Sequence, residues 1–403
     1  MPEARTLANG LKVYVVPKKV PDCSLYLAVH AGSLHDIIPE TAHVLEHIAG
    51  VQAKIYGDSG SLNYASGNAS TYSEETVYCF NGLLAEDLPF AAEALSKALL
   101  PPACNALERE KVSVIHELSG KKTPYEILRH AMLRRMRPEM QNYFPNIDTR
   151  LASLETITPA VAEQFWQTHY APANAIVCAV GAIPPKIVST LENIFERVPA
   201  RQNDSRAIVW PKRTAIDCQD PIEVACTETL NAEVHIAHTL PWTVNNAFDK
   251  IATLGYLKAF LCSTAGPAYT LLRDAKGLCY SCGADYTYDP TGTTFWATAE
   301  TSRIDQCKEI VSEFRNILAD IARNGMPSEV FVQFRKKVRV LRLWEDYQFN
   351  MNEFLEELRT GLSITAHQYD RAERMTNNNI KRVAQELVQQ QPQVLIALPL
   401  KRI

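Results

Sequence analysis

The stretch Thr41-Ala42-His43-Val44-Leu45-Glu46-His47 contains the pattern His-x-x-Glu-His. If this stretch is helical, His43 and His47 are four residues apart and their imidazoles leave one face of the helix. Both rings can then bind the same zinc ion. Glu46 follows His43 by three residues on that face, where a carboxylate can take a proton from a metal-activated water. The alternative is a surface helix that carries two histidines.

A catalytic zinc ion needs a third protein ligand, and its fourth position stays open. Residues 108–117 form a second segment with helical spacing of apolar side chains. Within it, Glu110 and Glu117 are seven residues apart, which is two helical turns, so they share a face. His116 is a competing ligand, although on a helix it points about 100° away from Glu117.

These residues resemble the signature of the pitrilysin family of zinc peptidases, also called the insulinase or M16 family, in its half-size bacterial form. In that family a glutamate ligand follows the motif at an interval close to the 117 − 47 = 70 residues found here, with another glutamate seven residues before it. The resemblance implies that His43, His47 and Glu117 bind one zinc ion per chain. It also implies that Glu110 orients the ligands from behind and that Glu46 is the general base.

A second matching segment is Asn68-Ala69-Ser70-Thr71, with Thr76 and Tyr78 after it. It resembles the family's Asn-Ala-x-Thr…Thr-x-Tyr segment, a sheet edge beside the zinc to which the substrate adds as a strand. A sheet edge suits this role because its unpaired N–H and C=O groups bind extended peptide. The resemblance implies substrate-binding roles for Asn68 and Ala69. A turn before an ordinary strand is the alternative.

The third matching segment contains Arg273 and Tyr280, which flank Gly277-Leu278. In the family, a corresponding arginine and tyrosine bind the substrate's carbonyls at the scissile bond, and a cation and a phenol suit a developing oxyanion. The alternative is a surface arginine near a half-buried strand tyrosine. The chain departs from the family at Glu40, where glycine is usual, and in the short run between Gly32 and His43. These departures concern the approach to the helix.

Composition excludes several classes of protein. The 403 residues are 46% hydrophobic and 21% charged, as in ordinary globular proteins, and the net charge of −4 argues against nucleic-acid binding. The amino terminus lacks the apolar core of a signal peptide, and no run of 18 apolar residues occurs. The ten cysteines are scattered through apolar segments, which suits reduced thiols. We expect a cytoplasmic protein without a membrane partner.

The order of predicted elements favours an α+β fold with mixed sheets, because strands and helices show no regular β-α-β-α repeat. The chain turns polar near residues 201–213, and a similar order of elements follows. We therefore expect a zinc-binding catalytic domain over residues 1–205 and a substrate-binding domain over residues 206–403. The resemblance implies the same architecture, with two related α+β halves of the pitrilysin/insulinase-like (LuxS/MPP-like) type.

The sequence predicts a zinc-dependent endopeptidase that cleaves short or unfolded peptides. One alternative is a specific processing protease, for example for a ribosomal precursor peptide. Another is a non-catalytic partner or scaffold subunit, a role that some family members have. Full-length members carry four α+β units and this chain resembles two, so we expect a homodimer, with a heterodimer of related subunits as the alternative. In such a pair the zinc of one protomer would face Arg273 and Tyr280 of the other.

Overall fold

The computed structural model describes residues 4–56, 58–121, 124–206, 208–213, 221–226, 231–241, 244–289, 291–344, 347–360 and 371–399. These residues divide into two compact units. The first comprises Met1–Lys121, Pro145–Val209 and Glu345–Met351, and the second comprises Lys122–Phe144, Trp210–Trp344 and Asn352–Ile403. The sequence-based division at residue 205 assumed two continuous segments. The structure differs because the chain enters the second unit at 122–144 and returns to the first at 345–351.

The strands form one mixed sheet in each unit. Along the chain they are β1 (Arg5–Thr6), β2 (Lys12–Pro17), β3 (Cys23–Val29), β4 (Ser66–Thr71), β5 (Thr76–Leu83), β6 (Ala175–Gly181), β7 (Ile222–Cys226), β8 (Ala232–Pro241), β9 (Ser281–Asp289), β10 (Gly292–Thr301) and β11 (Gln393–Pro399). The first sheet has the order β1-β2-β6-β3-β5-β4 and the second β7-β11-β8-β10-β9. Each contains one parallel pair, β2 with β6 and β7 with β11, and the other pairs are antiparallel. The predicted α+β class with mixed sheets is confirmed.

Helices cover the sheets. Along the chain they are α1 (Thr41–Gln52), α2 (Leu88–Ser96), α3 (Leu107–Gly120), α4 (Pro124–Met136), α5 (Ile147–Leu154), α6 (Pro159–His169), α7 (Pro185–Glu196), α8 (Val244–Leu261), α9 (Cys307–Asn324), α10 (Ser328–Leu343), α11 (Met351–Thr360) and α12 (Asn377–Gln389). Helix α6 begins as its sequence predicts, because the Thr158 side chain accepts the Val161 N–H and proline follows the cap. None of the described helices is long and apolar enough to span a membrane.

Each unit has its own hydrophobic core. In the first, Leu25 and Leu27 of β3 pack with Val177 of β6 and Phe195 of α7. In the second, Phe295 of β10, Phe314 of α9 and Leu387 of α12 belong to one buried cluster. Eight cysteines of the described part of the chain are free thiols, and five of these eight are buried.

The structure places Tyr78, which the resemblance put in a substrate-binding segment, in the core of the first unit. Its side chain on β5 is fully buried, and its hydroxyl lies 2.9 Å from the hydroxyl of Tyr170. Burial and the neighbouring hydroxyl raise the pKa of Tyr78 well above its usual range. The pair therefore joins β5 to the end of α6 within the core, and Tyr78 acts on stability.

This pair predicts a non-additive effect of mutation. Tyr170→Phe should lower the free energy of unfolding by about 1–3 kcal/mol, because it leaves the buried Tyr78 hydroxyl without its partner. The double variant Tyr78→Phe/Tyr170→Phe should be more stable than Tyr170→Phe alone, since it removes both polar groups. Urea unfolding of the variants measures this difference. A double variant less stable than the single one would show that the hydroxyl pair is not the relevant interaction.

Candidate metal centre

Helix α1 is buried on most of its circumference because it packs between two clusters. Leu45 and neighbouring small residues face the core of the first sheet. On another side, Val44 and Ile48, one turn apart, join Val114 and Leu118 of α3 in a second buried cluster. The two helices therefore meet along apolar residues with helical spacing. This contact sets the distance between the polar residues that each helix carries beside it.

The polar residues that converge are His43 and His47 from α1 and Glu117 from α3. One ligand atom from each lies within 4.8 Å of the others. The two oxygens of Glu117 lie 3.5 Å from Nε2 of His43 and 3.2 Å from Nε2 of His47. The histidine side chains are 13% and 8% exposed, whereas Glu117 is 46% exposed, so the group opens toward solvent on the glutamate side. Two imidazoles and one carboxylate with an open side fit a catalytic zinc site.

The charges in this group are strongly coupled. Burial lowers the pKa of His43, but hydrogen bonds to Glu117 and Glu40 and the nearby carboxylates raise it to about 9. Chiefly through its hydrogen bond with His43, the pKa of Glu117 falls to about 2. Without a metal ion, the positive charge of protonated His43 therefore compensates the negative charges of Glu117 and Glu40. The three candidate ligands therefore form a site that favours a bound cation.

Two further carboxylates stand behind the histidines. Glu40, just before α1, places Oε2 at 2.9 Å from Nδ1 of His43. Glu110 of α3 places Oε2 at 3.5 Å from Nδ1 of His47, and its other oxygen accepts a hydrogen bond from Arg109 at 2.7 Å. Contacts at Nδ1 leave Nε2 of each ring directed at Glu117, and in this orientation Nε2 can bind a metal ion.

Glu46 occupies a buried position beside the three candidate ligands and is 2% exposed. The hydroxyl of Tyr56 donates a hydrogen bond to Oε1, and that of Thr71 donates to Oε2 at 3.2 Å. Both oxygens are therefore held by neutral donors, which fix the carboxylate without a competing positive charge. Thr71 belongs to β4, so the end of this strand lies at the centre.

The predicted substrate residues Asn68 and Ala69 also lie on β4. This strand ends the sheet order, and within the described residues its ladder runs to β5 alone, with Asn68 opposite Cys79 and Ala69 opposite Tyr78. Asn68 is exposed and Ala69 is half-buried. The structure thus places both residues on a sheet edge in the same unit as the centre, and their binding role stays a prediction.

The other predicted substrate residues, Arg273 and Tyr280, belong to the second unit. Arg273 lies in a π-helical segment, Tyr269–Ala275, and its guanidinium is 5.2 Å from the ring centre of Tyr280. It also contacts Tyr269, whose hydroxyl accepts a hydrogen bond from Nη1. Tyr280 is 69% exposed. The two residues therefore form one exposed cation–aromatic pair, and their role in substrate binding stays a prediction.

Several neighbours of the centre were not anticipated. In the sequence, Glu40 stands out only as a departure from the family pattern, and Thr71 only as part of the segment 68–71. Tyr56 and Arg150 carried no signal, because they stand at no regular interval from the motif. The competing ligand His116 is exposed on α3 and lies outside the converging group, which contains Glu117.

Comparison with known proteins agrees with this fold. Residues 156–338 match the family described as the Peptidase M16 inactive domain. Over 231 residues the chain is 26% identical to the "Probable zinc protease PqqL" of Escherichia coli strain K12, which covers 51% of this chain and 24% of that protein. The chain thus aligns with about a quarter of this curated relative's length. The family match begins after the candidate zinc ligands and does not include them.

Solved structures share the fold along the whole chain. A protease from Helicobacter pylori superimposes with a TM-score of 0.81 at 19% identity, covering 99% of this chain and 100% of that one. The periplasmic protease PqqL from Escherichia coli gives a TM-score of 0.80 at 16% identity, covering 100% of this chain and 48% of that one. The matched segment and the related sequence support an M16 family member, and the solved structures share its fold.

The geometry predicts how zinc content responds to two substitutions one turn apart. His43→Ala should reduce bound zinc from about one ion per chain to near zero, because two ligands do not hold the ion. Glu46→Gln should keep its zinc, since the Glu46 oxygens are engaged by hydroxyls and lie outside the converging group. Metal analysis after dialysis against trace zinc measures both. Equal loss in the two variants would contradict this division of roles.

Proposed function

We propose that this chain is a zinc-dependent endopeptidase that cleaves short or unfolded peptides. The observation that carries the proposal is the convergence of His43, His47 and Glu117 beside the buried carboxylate of Glu46. The M16 family match and the related protease support a peptidase-related role, and the donor set supports the metal.

The proposed chemistry assigns a separate task to each residue. When bound, zinc would polarise the scissile carbonyl and lower the pKa of water. Glu46 accepts the proton of the attacking water and returns it to the leaving amine. The hydroxyls of Tyr56 and Thr71 hold the Glu46 carboxylate in one orientation, so little reorganisation is needed when the proton moves. Glu40 and Glu110 keep the histidine rings in place from behind.

Substrate selection follows from the edge strand. An extended peptide can add to β4 through backbone hydrogen bonds, beginning beside Asn68 and Ala69 and running toward Thr71, which contacts Glu46. This mode requires a segment free of its own secondary structure, and it places little demand on side chains. Arg273 and Tyr280 would bind the carbonyl oxygen at which negative charge develops.

A non-catalytic partner subunit is the second candidate, because the matched family is described as an inactive domain. That match covers residues 156–338 and excludes His43, Glu46, His47 and Glu117. The two candidates differ in turnover by the zinc-loaded chain. A specific processing protease differs from the first proposal only in the range of peptides cleaved.

The catalytic proposal predicts loss of activity with retention of structure. Glu46→Gln should lower the cleavage rate of an unstructured fluorogenic peptide by about 10²–10⁴-fold, because the amide cannot accept the proton. The wild-type protein should cleave this peptide and spare the same sequence inserted in a rigid hairpin of a stable protein. Glu93→Gln, on the exposed part of α2, is the matched control. Zinc-loaded wild type without turnover would favour the partner role.

We also propose that the active protein contains a second copy of this two-unit architecture. The reason is that this chain matches only 48% of the PqqL structure, which is about twice as long. This second half would be another copy of this chain. The zinc centre of one protomer would then be completed by Arg273 and Tyr280 of the partner. The chain carries both residue sets, which a homodimer of this kind requires.

Mixing two inactive variants tests this arrangement. Glu46→Gln and Arg273→Ala should each be nearly inactive alone, and their mixture should regain about a quarter of wild-type activity after subunit exchange. The fraction follows because half of the dimers are mixed at random pairing, and each has one intact site of two. Exchange is verified by energy transfer between labelled chains. Exchange without recovered activity would show that both residues act within one chain.

A further inference from the structure

Glu40 stands immediately before α1 in a conformation that its residue type rarely adopts. Its φ of 75° and ψ of 2° lie in the left-handed region, which favours glycine. The carboxylate of Asp36 fixes this turn by accepting the N–H of Glu40 at 3.0 Å and that of Ala42 at 2.8 Å. A non-glycine residue in this region costs free energy, so an observed case calls for a reason at that position.

The side chain of Glu40 supplies one. The residue is 5% exposed, and its carboxylate bridges two partners. Oε2 lies 2.9 Å from Nδ1 of His43, and Oε1 accepts a hydrogen bond from Nε of Arg150 on α5. Arg150 therefore holds one end of the carboxylate while the other end faces the imidazole. Because an ionised carboxylate only accepts hydrogen bonds, it requires a proton on Nδ1 of His43.

The left-handed turn makes this contact possible. If residue 40 were part of the regular helix, its side chain would lie on the same face as that of His43 and point in the same direction. Here the turn at Glu40 directs its carboxylate to the rear of the His43 ring, while Nε2 faces Glu117. Glu110 stands in the same relation to His47, at 3.5 Å from its Nδ1. Each histidine thus has its own carboxylate, and the one at His43 is closer.

We propose that Glu40 is a positioning residue for the metal centre, which fixes the ring and tautomer of His43 so that Nε2 is available to a zinc ion, with Arg150 fixing Glu40. The inference deepens the proposed function and rests on its zinc site. Carboxylates in this position behind a histidine typically strengthen metal binding by about 10–100-fold. The strained backbone at Glu40 is thus the cost of placing a carboxylate where glycine would relax the turn.

Two substitutions separate this role from an ordinary ion pair at a helix start. Glu40→Gly removes the carboxylate and suits the left-handed φ, so relief of the backbone strain offsets part of the stability lost with the Arg150 and His43 contacts. Glu40→Gln keeps the size but has one oxygen. If that oxygen stays with Arg150, the amide N–H₂ faces His43 and requires Nδ1 to accept, which moves the ring proton to Nε2 and blocks the metal.

The experiment measures zinc dissociation constants by competition with a chromophoric chelator, together with the thermal midpoints of the metal-free proteins. We expect both variants to bind zinc about 10–100-fold more weakly than wild type. Lys121→Met is the matched control, because Lys121 approaches Glu117 from solvent at 3.9 Å, and it should change the zinc constant by less than about threefold.

Two outcomes would overturn the inference. If wild type binds zinc and His43→Ala does not, but both Glu40 variants bind within about twofold of wild type, the zinc site stands and the positioning role fails. If Glu40→Gly instead lowers the metal-free midpoint and leaves the zinc constant unchanged, Glu40 serves the fold alone. Wild type that binds no zinc would reject the proposed metal site itself, which distinguishes failure of the function from failure of the inference.

Discussion

The centre depends on the apolar contact between α1 and α3. Val44 and Ile48 on one helix meet Val114 and Leu118 on the other, and all four side chains are buried. Burying side chains of this kind contributes about 1.5–3 kcal/mol each before the cost of ordering the chain. The contact is short and repeats once per helical turn, so it sets both the separation and the rotation of the helices. His43, His47, Glu110 and Glu117 stand beside this contact and inherit their distances from it.

The same packing creates an electrostatic constraint. It brings Glu40, Glu46 and Glu110 to positions that are 5%, 2% and 5% exposed, close to two imidazoles. Buried carboxylates are stable only when they are paired or hydrogen-bonded. Each one here has its own partners: Arg150 and His43 for Glu40, two hydroxyls for Glu46, and Arg109 with His47 for Glu110. Because the partners differ, chemically identical side chains take different tasks.

The fold and the candidate metal centre depend on the amino-acid sequence to different degrees. Proteins only 16–19% identical to this chain share its architecture along almost its whole length, so the arrangement of strands and helices tolerates wide changes in sequence. The centre rests on few side chains. One of them, Glu40, is a local departure that keeps a strained turn in order to place a carboxylate behind His43. A match of fold would not have drawn attention to this position.

Features that depend on regular spacing follow from the amino-acid sequence alone. The order of the predicted elements indicated the α+β class, and the intervals within residues 43–47 and 110–117 identified residues that share a helix face. Tertiary structure decided which faces meet. No interval links Tyr56, Thr71 or Arg150 to the motif, because these residues approach it from other elements. Tertiary packing also places the Tyr78 side chain in the core and assigns residues 122–144 to the second unit. The physical reason is that spacing along a chain fixes direction only within one element, whereas contacts between elements follow from how their apolar surfaces pack.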